Sequence, residues 1–234
     1  MKRTLLALCS LLLAQTLLSG PTRAQGPNYP IYLPLVAGAP STPTPGTLVI
    51  LANHTQHVDS SGVLHILGEV QNNTSSGVLA VEVSVVFLDA NHQPVLTWPA
   101  NVPIRILPSG EKTCFELSLS ASPNWSYEFE APVGQASTQG RPPLSLSSVN
   151  GQADSLGDYQ ITGFIRNDGS RMAMSVSAIG TLYDSTGHVT ACGSRNANIA
   201  DFDPGQSSAF TINFWGVGSP NAASYHVQAD AMSY

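Results

Sequence analysis

Charged residues are scarce in this chain of 234 residues, since Asp, Glu, Lys and Arg together make up only 10% of it. A disordered chain combines low hydrophobicity with high net charge, whereas hydrophobic residues here reach 42%. Basic residues are the scarcer charged class, with nine Lys and Arg against 15 Asp and Glu. We therefore expect a folded protein that does not bind nucleic acid, because the basic surface that neutralises phosphates is lacking.

Long apolar runs are lacking beyond the N-terminus. Lys2 and Arg3 precede the apolar run 5–18, and the small residue Ala24 follows it, an order typical of a cleaved export signal. The run is shorter than the roughly 20 residues needed to cross a bilayer. We therefore predict a signal peptide at 1–24 and a mature chain that begins at Gln25. We expect that chain to be secreted, either free or associated with the cell envelope, and not to span a membrane.

Cysteine is rare, and the mature chain would keep only Cys114 and Cys192. Two cysteines cannot build a disulfide-rich scaffold, so each domain must be held chiefly by its own apolar core. The two residues either pair in an oxidising compartment or remain separate thiols, and the sequence leaves both open.

Signatures of catalysis are also missing. The sequence has no Gly-x-Ser-x-Gly elbow, no phosphate-binding glycine loop and no Glu after residue 142. His54 and His57 would point to opposite faces of a strand, and Asp201 and Asp203 lack the spacing of a calcium loop. We therefore expect no catalytic residue, no metal and no cofactor, and hence no enzyme. A secreted hydrolase is the least favoured alternative.

What the sequence does offer is alternation of apolar and polar residues. The inward face predicted for a strand at 79–88 consists of five apolar residues, which are Leu79, Val81, Val83, Val85 and Phe87. Similar runs recur between short turn signals, and the mature chain has no convincing amphipathic helix. This pattern predicts an all-β fold made of antiparallel sandwiches.

A shift of 95 residues relates the two halves of the chain. It aligns 66–72 with 161–167 and 87–89 with 182–184, and a small slip then aligns 127–129 with 225–227. A period of this length predicts two tandem domains of seven strands each. The expected division is a Pro-rich linker with an apolar tract at 25–46, a first module at 47–131, a linker at 132–142 and a second module at 143–234.

Each half resembles the FxLYD domain, a β-sandwich module of bacterial proteins outside the cytoplasm. The shared pattern is Gly-x-hydrophobic-x-Asn, a strand ending in Leu-Tyr-Asp, and a Pro-Gly turn before a strand with a Phe. Its residues here are Gly68, Asn72, Asp89 and Gly110 in the first half and Gly163, Asn167, Asp184 and Gly205 in the second. The resemblance implies an immunoglobulin-like sandwich without a known catalytic role. The tract 32–36 also resembles one that follows the signal in many exported Chloroflexi-type proteins.

These motif residues have structural roles on physical grounds. Asp89 and Asp184 follow apolar strands, where a carboxylate caps a hairpin by accepting backbone N–H groups. Asn72 and Asn167 can close similar turns.

The tryptophans are the better indication of function. Trp98, Trp125 and Trp215 lie near expected strand ends or turns, where an indole either caps a core or forms a platform for a sugar or a peptide. We expect a non-enzymatic binding or scaffold protein at the cell surface, whose partner is a protein or a polysaccharide. A pair of carbohydrate-binding modules that use these tryptophans is the first alternative.

Overall fold

The computed structural model describes residues 46–120, 125–155, 157–215 and 222–233. The predicted signal at 1–24 and the linker up to residue 45 lie outside these residues. Within the described ranges the chain forms fifteen strands and no helix, and all strand pairs are antiparallel, so the predicted all-β class is confirmed.

The first half of the chain forms two sheets. Sheet 1 has β4 at its centre, with β5 and β6 on one edge and β8 and β9 on the other; sheet 2 has β3 at its centre, flanked by β1 and β2 on one edge and β7 on the other. The strands are β1 (Leu48–Ile50), β2 (Thr55–Val58), β3 (Val63–Asn72), β4 (Gly77–Leu88), β5 (Pro94–Asn101), β6 (Ile106–Leu107), β7 (Lys112–Ser120), β8 (Ser126–Phe129) and β9 (Val133–Ser137).

The second half forms sheet 3, in the order β13-β12-β15, and sheet 4, in the order β10-β11-β14. Its strands are β10 (Leu144–Ala153), β11 (Tyr159–Asn167), β12 (Ala173–Tyr183), β13 (Val189–Asn196), β14 (Ser207–Phe214) and β15 (Ser224–Ser233). Each pair of sheets encloses its own apolar cluster, in the manner of a β-sandwich.

The core of the first pair follows the predicted alternation with one exception. Val81, Val83, Val85 and Phe87 are buried, but Leu79 is only partly buried and Val78 takes the inward position instead. The reason is a bulge, because the pairing of β4 with β9 shifts register between Leu79 and Glu82.

The backbone adopts an unusual conformation at this bulge. Ala80 has φ of 49°, in the left-handed region that residues with a Cβ rarely adopt. In β12 the same geometry occurs at Ser175, with φ of 51°, and it likewise leaves Met174 only partly buried while Ala173 faces the core. The inward orientation predicted for Leu79 is therefore wrong, and Met174 departs from the alternation in the same way.

A shift of 95 residues also relates hydrogen-bonding partners in the two halves. Gly68 pairs with Phe115 and Gly163 with Phe210. Leu88 pairs with Pro94 after a register shift, and Tyr183 pairs with Val189 after the same shift. Strand β5 and strand β13 have bounds that differ by 95 at both ends.

The structure departs from the predicted linker at 132–142, because Val133–Ser137 forms β9 and pairs with β4. Strand numbers also depart from seven in each half, since the described residues give nine strands before residue 140 and six after it. In the first half β1 and β2 share one edge of β3, whereas β10 alone occupies the corresponding edge of β11. Likewise β8 and β9 share one edge of β4, whereas β15 alone occupies the corresponding edge of β12.

Sheets 2 and 3 pack face to face, and we call this contact the seam. Ile179 of β12 belongs to the apolar cluster of the first pair of sheets, and Cys192 of β13 packs against that cluster. Strand β12 is consequently buried on both faces, with Ala178 and Leu182 in the second cluster. The sheets therefore stack in the order 1, 2, 3 and 4.

Candidate functional site

The predicted motif residues hold turns. Oδ1 of Asp89 accepts the backbone N–H groups of Asn91 and Gln93, at 2.8 and 2.9 Å. Oδ1 of Asp184 accepts those of Thr186 and His188, at 2.8 and 3.0 Å. These contacts lower the pKa of Asp89, where the Gln93 N–H has the largest effect, and the pKa of Asp184, where the Thr186 hydroxyl does.

Asn72 and Asn167 are fully buried and tie three chain segments together. Nδ2 of Asn72 donates to the carbonyls of Ser76 and Leu107, both at 2.8 Å. Nδ2 of Asn167 donates to the carbonyls of Arg171 and Phe202, at 2.8 and 3.1 Å.

The motif glycines serve the same framework. Gly110 and Gly205 have φ of 78° and 79°, and their N–H groups donate to the carbonyls of the two buried asparagines. At Gly68 and Gly163 a Cβ would lie 2.6 and 2.8 Å from the rings of Phe115 and Phe210. All eight motif residues thus have a structural role.

The three tryptophans differ in their surroundings. Trp125 is partly buried, with its ring 5.7 Å from that of Phe87, so it caps the first core. Trp98 lies within β5, not at a strand end or turn, and is 39% exposed. Trp215 follows β14 directly and is 67% exposed, which makes it the most open indole.

A disulfide crosses the seam. Cys114 of β7 and Cys192 of β13 are joined with an S–S distance of 2.03 Å and a Cα–Cα distance of 5.7 Å. Cys114 lies on the face of β7 opposite to Phe115, and that face is covered at this point by the second half of the chain. The main chains of the two halves are also in contact, since the N–H of Val189 donates to the carbonyl of Asn53 at 2.9 Å.

A buried carboxylate lies at the centre of the seam. Glu69 has 0% exposure and accepts three hydrogen bonds, from Asn53 Nδ2 at 2.7 Å, Lys112 Nζ at 2.8 Å and the Tyr183 hydroxyl at 2.7 Å. Burial, with the Glu69 carboxylate as a further cause, raises the pKa of Tyr183, so this hydroxyl stays protonated as the donor. A buried charge with this many partners is a fixed point between the two halves.

An ion pair also joins the halves. Asp230 of β15 has 0% exposure, and its Oδ2 accepts from Arg105 through Nη1 at 2.9 Å and the backbone N–H at 3.2 Å. Burial raises the pKa of Asp230 even though Arg105 opposes the shift.

Beyond the disulfide, the uncovered part of sheet 2 carries a row of polar side chains. The strand register places His57 beside His65 and His65 beside Ser118, across β2, β3 and β7. The two imidazole rings stack with centroids 4.9 Å apart and planes 12° apart. Burial first, and then the neighbouring His65, lowers the pKa of His57, so this ring is neutral at pH 7.

Carboxylates flank His65 on both sides. Its Nδ1 lies 2.9 Å from Oε1 of Glu116 and 2.9 Å from Oγ of Ser118, while its Nε2 lies 3.4 Å from Oδ2 of Asp59. The Ser118 hydroxyl also donates to Glu116 at 3.0 Å. Because a carboxylate only accepts, Nδ1 of His65 carries a proton in its contact with Glu116.

Trp215 and this row share a cleft of about 170 Å³ at the rim of the seam. Sheet 2 contributes His57, His65 and Glu116, and the second half contributes Asn213 and Trp215. The disulfide-bonded Cys192 also lines the cleft, so its walls depend on the packing of the two halves.

A larger and more open cavity of about 770 Å³ lies at another part of the seam. Its cationic groups are already paired, because Lys112 contacts Glu69 and Arg141 contacts Glu111 at 2.8 Å. Pro143 and Leu144, which begin the second half, line its apolar side.

The residues weighed for metal binding do not come together. His54 packs edge-on against the ring of Phe129, with centroids 5.0 Å apart, while His57 stacks on His65. Oδ1 of Asp201 accepts the N–H of Ser175 at 2.9 Å. Among the residues that the structure describes, no group of three or more His, Cys, Asp and Glu side chains could hold a metal ion.

Sequence reasoning missed the polar row and Glu69. Alternation does place His65, Glu69, Glu116 and Ser118 on outward faces of their strands, but that signal predicts exposure. Their grouping depends on strand register, and the burial of Glu69 depends on sheet 3.

No family model matches the sequence, and no curated protein matches it. A solved structure, the crystal structure of red sea bream transglutaminase, is similar over 81% of this chain and 29% of its own length, with 14% identity and a TM-score of 0.27. The chain thus spans less than a third of that structure. In the part of the chain that is described, no helix has the length and apolar character needed to cross a membrane.

Proposed function

We propose that this chain is an exported, non-enzymatic binding or scaffold protein in which two immunoglobulin-like, FxLYD-like modules are held in one fixed orientation. The observation that carries the proposal is the seam, where a disulfide and a buried carboxylate lock sheet 2 against sheet 3. Domains within one chain usually move relative to each other unless their interface is large and apolar. A covalent and buried seam supports a body that presents a preformed surface.

Export is supported by two features together. The N-terminal sequence has the order of a signal peptide, and the Cys114–Cys192 disulfide would persist in an oxidising compartment outside the cytoplasm. The protein would thus act as secreted material, associated with the cell envelope.

Two copies of one module are supported by the shared hydrogen bonds. Asn72 and Asn167 contact carbonyls whose numbers differ by 95, and the positive φ angles of Ala80 and Ser175 differ in position by 95 as well. Strained backbone at matching positions is hard to produce by chance, because such residues are uncommon.

Cosedimentation with purified cell-envelope fragments tests the proposal. We expect the chain 25–234 to sediment with the fragments and the double variant Cys114→Ser/Cys192→Ser to sediment less. A version without residues 26–46 is the matched control, and its retention in the pellet assigns binding to the sheets. Failure of the full chain to sediment with any envelope fraction overturns the proposal.

One observation favours a second candidate, a secreted hydrolase. Ser118, His65 and Asp59 form a row in which the serine and the aspartate lie at opposite imidazole nitrogens, as in a catalytic triad. However, Nδ1 of His65 carries a proton toward Glu116, so it cannot take the proton of Ser118 in this arrangement. Ester turnover by the wild type that is lost in Ser118→Ala would replace the binding proposal with this one.

A further inference from the structure

We propose that the cleft between the two halves, formed by His57, His65, Glu116, Asn213 and Trp215, binds one ring of a neutral polysaccharide. This inference rests on the proposed function and names its ligand class. It places a single shared site at the seam, in contrast to one tryptophan site in each module.

The tryptophans argue for one shared site. A shift of 95 residues aligns Trp98 with Gly193 and Trp215 with Ser120 in the sequence. Neither exposed indole therefore has an aromatic counterpart in the other half. Trp125 is engaged with Phe87 in the core. Only Trp215 combines high exposure with a cleft lined by polar groups.

Trp215 supplies the apolar side of the site. An indole that is 67% exposed keeps most of its apolar face in water, which is unfavourable unless a partner covers it. The C–H face of a pyranose is flat and apolar, and it matches an indole that has a polar rim around it.

Polar side chains from both halves supply hydrogen bonds in both directions. The Glu116 side chain is 35% exposed and accepts, while the neutral His57 ring offers one donor and one acceptor. The side-chain amide of Asn213 is held by Gln160, whose Nε2 donates to its Oδ1 at 2.8 Å. Sugar hydroxyls both donate and accept, so they suit this mixed set.

The charge of the protein and the size of the cleft limit the class of ligand. The mature chain would carry six basic and 15 acidic residues, and Glu116 and Asp59 lie beside the cleft, so an acidic polysaccharide would be repelled. The cleft of about 170 Å³ is below the roughly 300–1,000 Å³ of pockets for drug-sized ligands. It therefore fits one ring of a chain whose neighbouring rings lie on the surface.

The experiment titrates the chain 25–234 with neutral hexasaccharides of glucose, xylose, mannose and N-acetylglucosamine, followed by calorimetry and indole fluorescence. We expect at least one hexasaccharide to bind, and Trp215→Ala to weaken it by roughly tenfold, the loss of one aromatic contact. The matched control is Trp98→Ala, at the other exposed indole, which should bind as the wild type does. Thermal unfolding of both variants checks that each is folded.

The outcomes separate the inference from the function beneath it. Flat titrations with all four sugars, in a protein that still sediments with envelope fragments, overturn the polysaccharide site and leave the binding function in place. Equal weakening by Trp98→Ala and Trp215→Ala overturns the location of the site. Loss of sedimentation together with flat titrations overturns both.

Discussion

The hydroxyl of Tyr183 donates to Oε1 of Glu69 at 2.7 Å, so a residue of the second half completes the shell of a fully buried carboxylate in the first. The position that corresponds to Tyr183 in the first half is Leu88, and the position that corresponds to Glu69 in the second is Phe164. The contact is therefore specific to the seam and has no second copy.

Tyr183→Phe removes this donor and leaves Glu69 with Lys112 and Asn53. We expect the free energy of unfolding to fall by about 1.5–3 kcal/mol, as for a hydrogen bond to a charged group. Urea denaturation measures it. The control is Tyr225→Phe, whose hydroxyl makes only a 3.5 Å contact with the Val149 carbonyl. Equal losses in the two variants would contradict the role given to Glu69.

Asn72→Ala and Asn167→Ala each leave two carbonyl oxygens without their amide donor, one of each pair in a buried contact. We expect each substitution to lower the free energy of unfolding by roughly 2–4 kcal/mol, because it removes at least three side-chain hydrogen bonds in or beside the core, each worth about 0.5–1.5 kcal/mol. Chemical denaturation of both variants beside Asn91→Ala, at an exposed turn, is the measurement. A small effect at Asn167 alone would show that the two sites are not equivalent.

Reduction of the Cys114–Cys192 bond should destabilise the protein, because the disulfide closes a loop with a sequence separation of 78 residues. The chain-entropy relation gives about 4.5 kcal/mol for such a loop. Thermal unfolding with and without reductant measures the effect. Cys114→Ser/Cys192→Ser should unfold at the same temperature in both conditions. A wild type that is indifferent to reductant would contradict the prediction.

Gly180→Val gives β12 the residue type that β4 has at the corresponding position, Val85. A Cβ there would lie 2.9 Å from the ring of Phe214 and 3.1 Å from Ile212, so we expect overpacking of about 1–3 kcal/mol. Phe214→Leu introduces the residue found at the corresponding Leu119 and should relieve the overlap. A double-mutant cycle by urea denaturation measures the coupling, and additive losses would contradict this account.

The carboxylates of Asp89 and Asp184 should make the stability of the protein depend on pH in the acid range. The Gln93 N–H lowers the pKa of Asp89 from the ordinary 3.8, and the Thr186 hydroxyl, followed by the His188 N–H, lowers the pKa of Asp184, so the folded state binds protons less readily than the unfolded state. Their contribution to the free energy of unfolding is complete above pH 3.8, and it is lost as the pH falls through the lowered pKa values. Melting temperatures across this range should fall less steeply in Asp89→Asn/Asp184→Asn. Parallel curves would contradict the assignment.

Alternation predicted the all-β class because the register of Val81, Val83, Val85 and Phe87 is set locally, by the pleat of a single strand. It failed at Leu79, since a bulge at Ala80, like the one at Ser175 in β12, depends on the partner strand and leaves no apolar signature.

The strand at Val133–Ser137 was missed for a related reason. Its residues are small, polar or exposed, so they lack the alternation that marks a half-buried strand, and only the free edge of β4 makes them one. The candidate cleft was equally hidden, because it depends on how two distant sheets meet.

The seam joins unlike surfaces, since sheet 2 of one half meets sheet 3 of the other. A contact between unlike surfaces, when successive copies repeat it without closing a ring, builds an open filament. The surface available for a third layer is the outer face of sheet 4, whose residues Phe164, Ser207 and Ala209 stand where Glu69, Lys112 and Cys114 stand in sheet 2. With no carboxylate, ammonium or thiol at these positions, that face lacks the groups that hold sheet 2 against sheet 3.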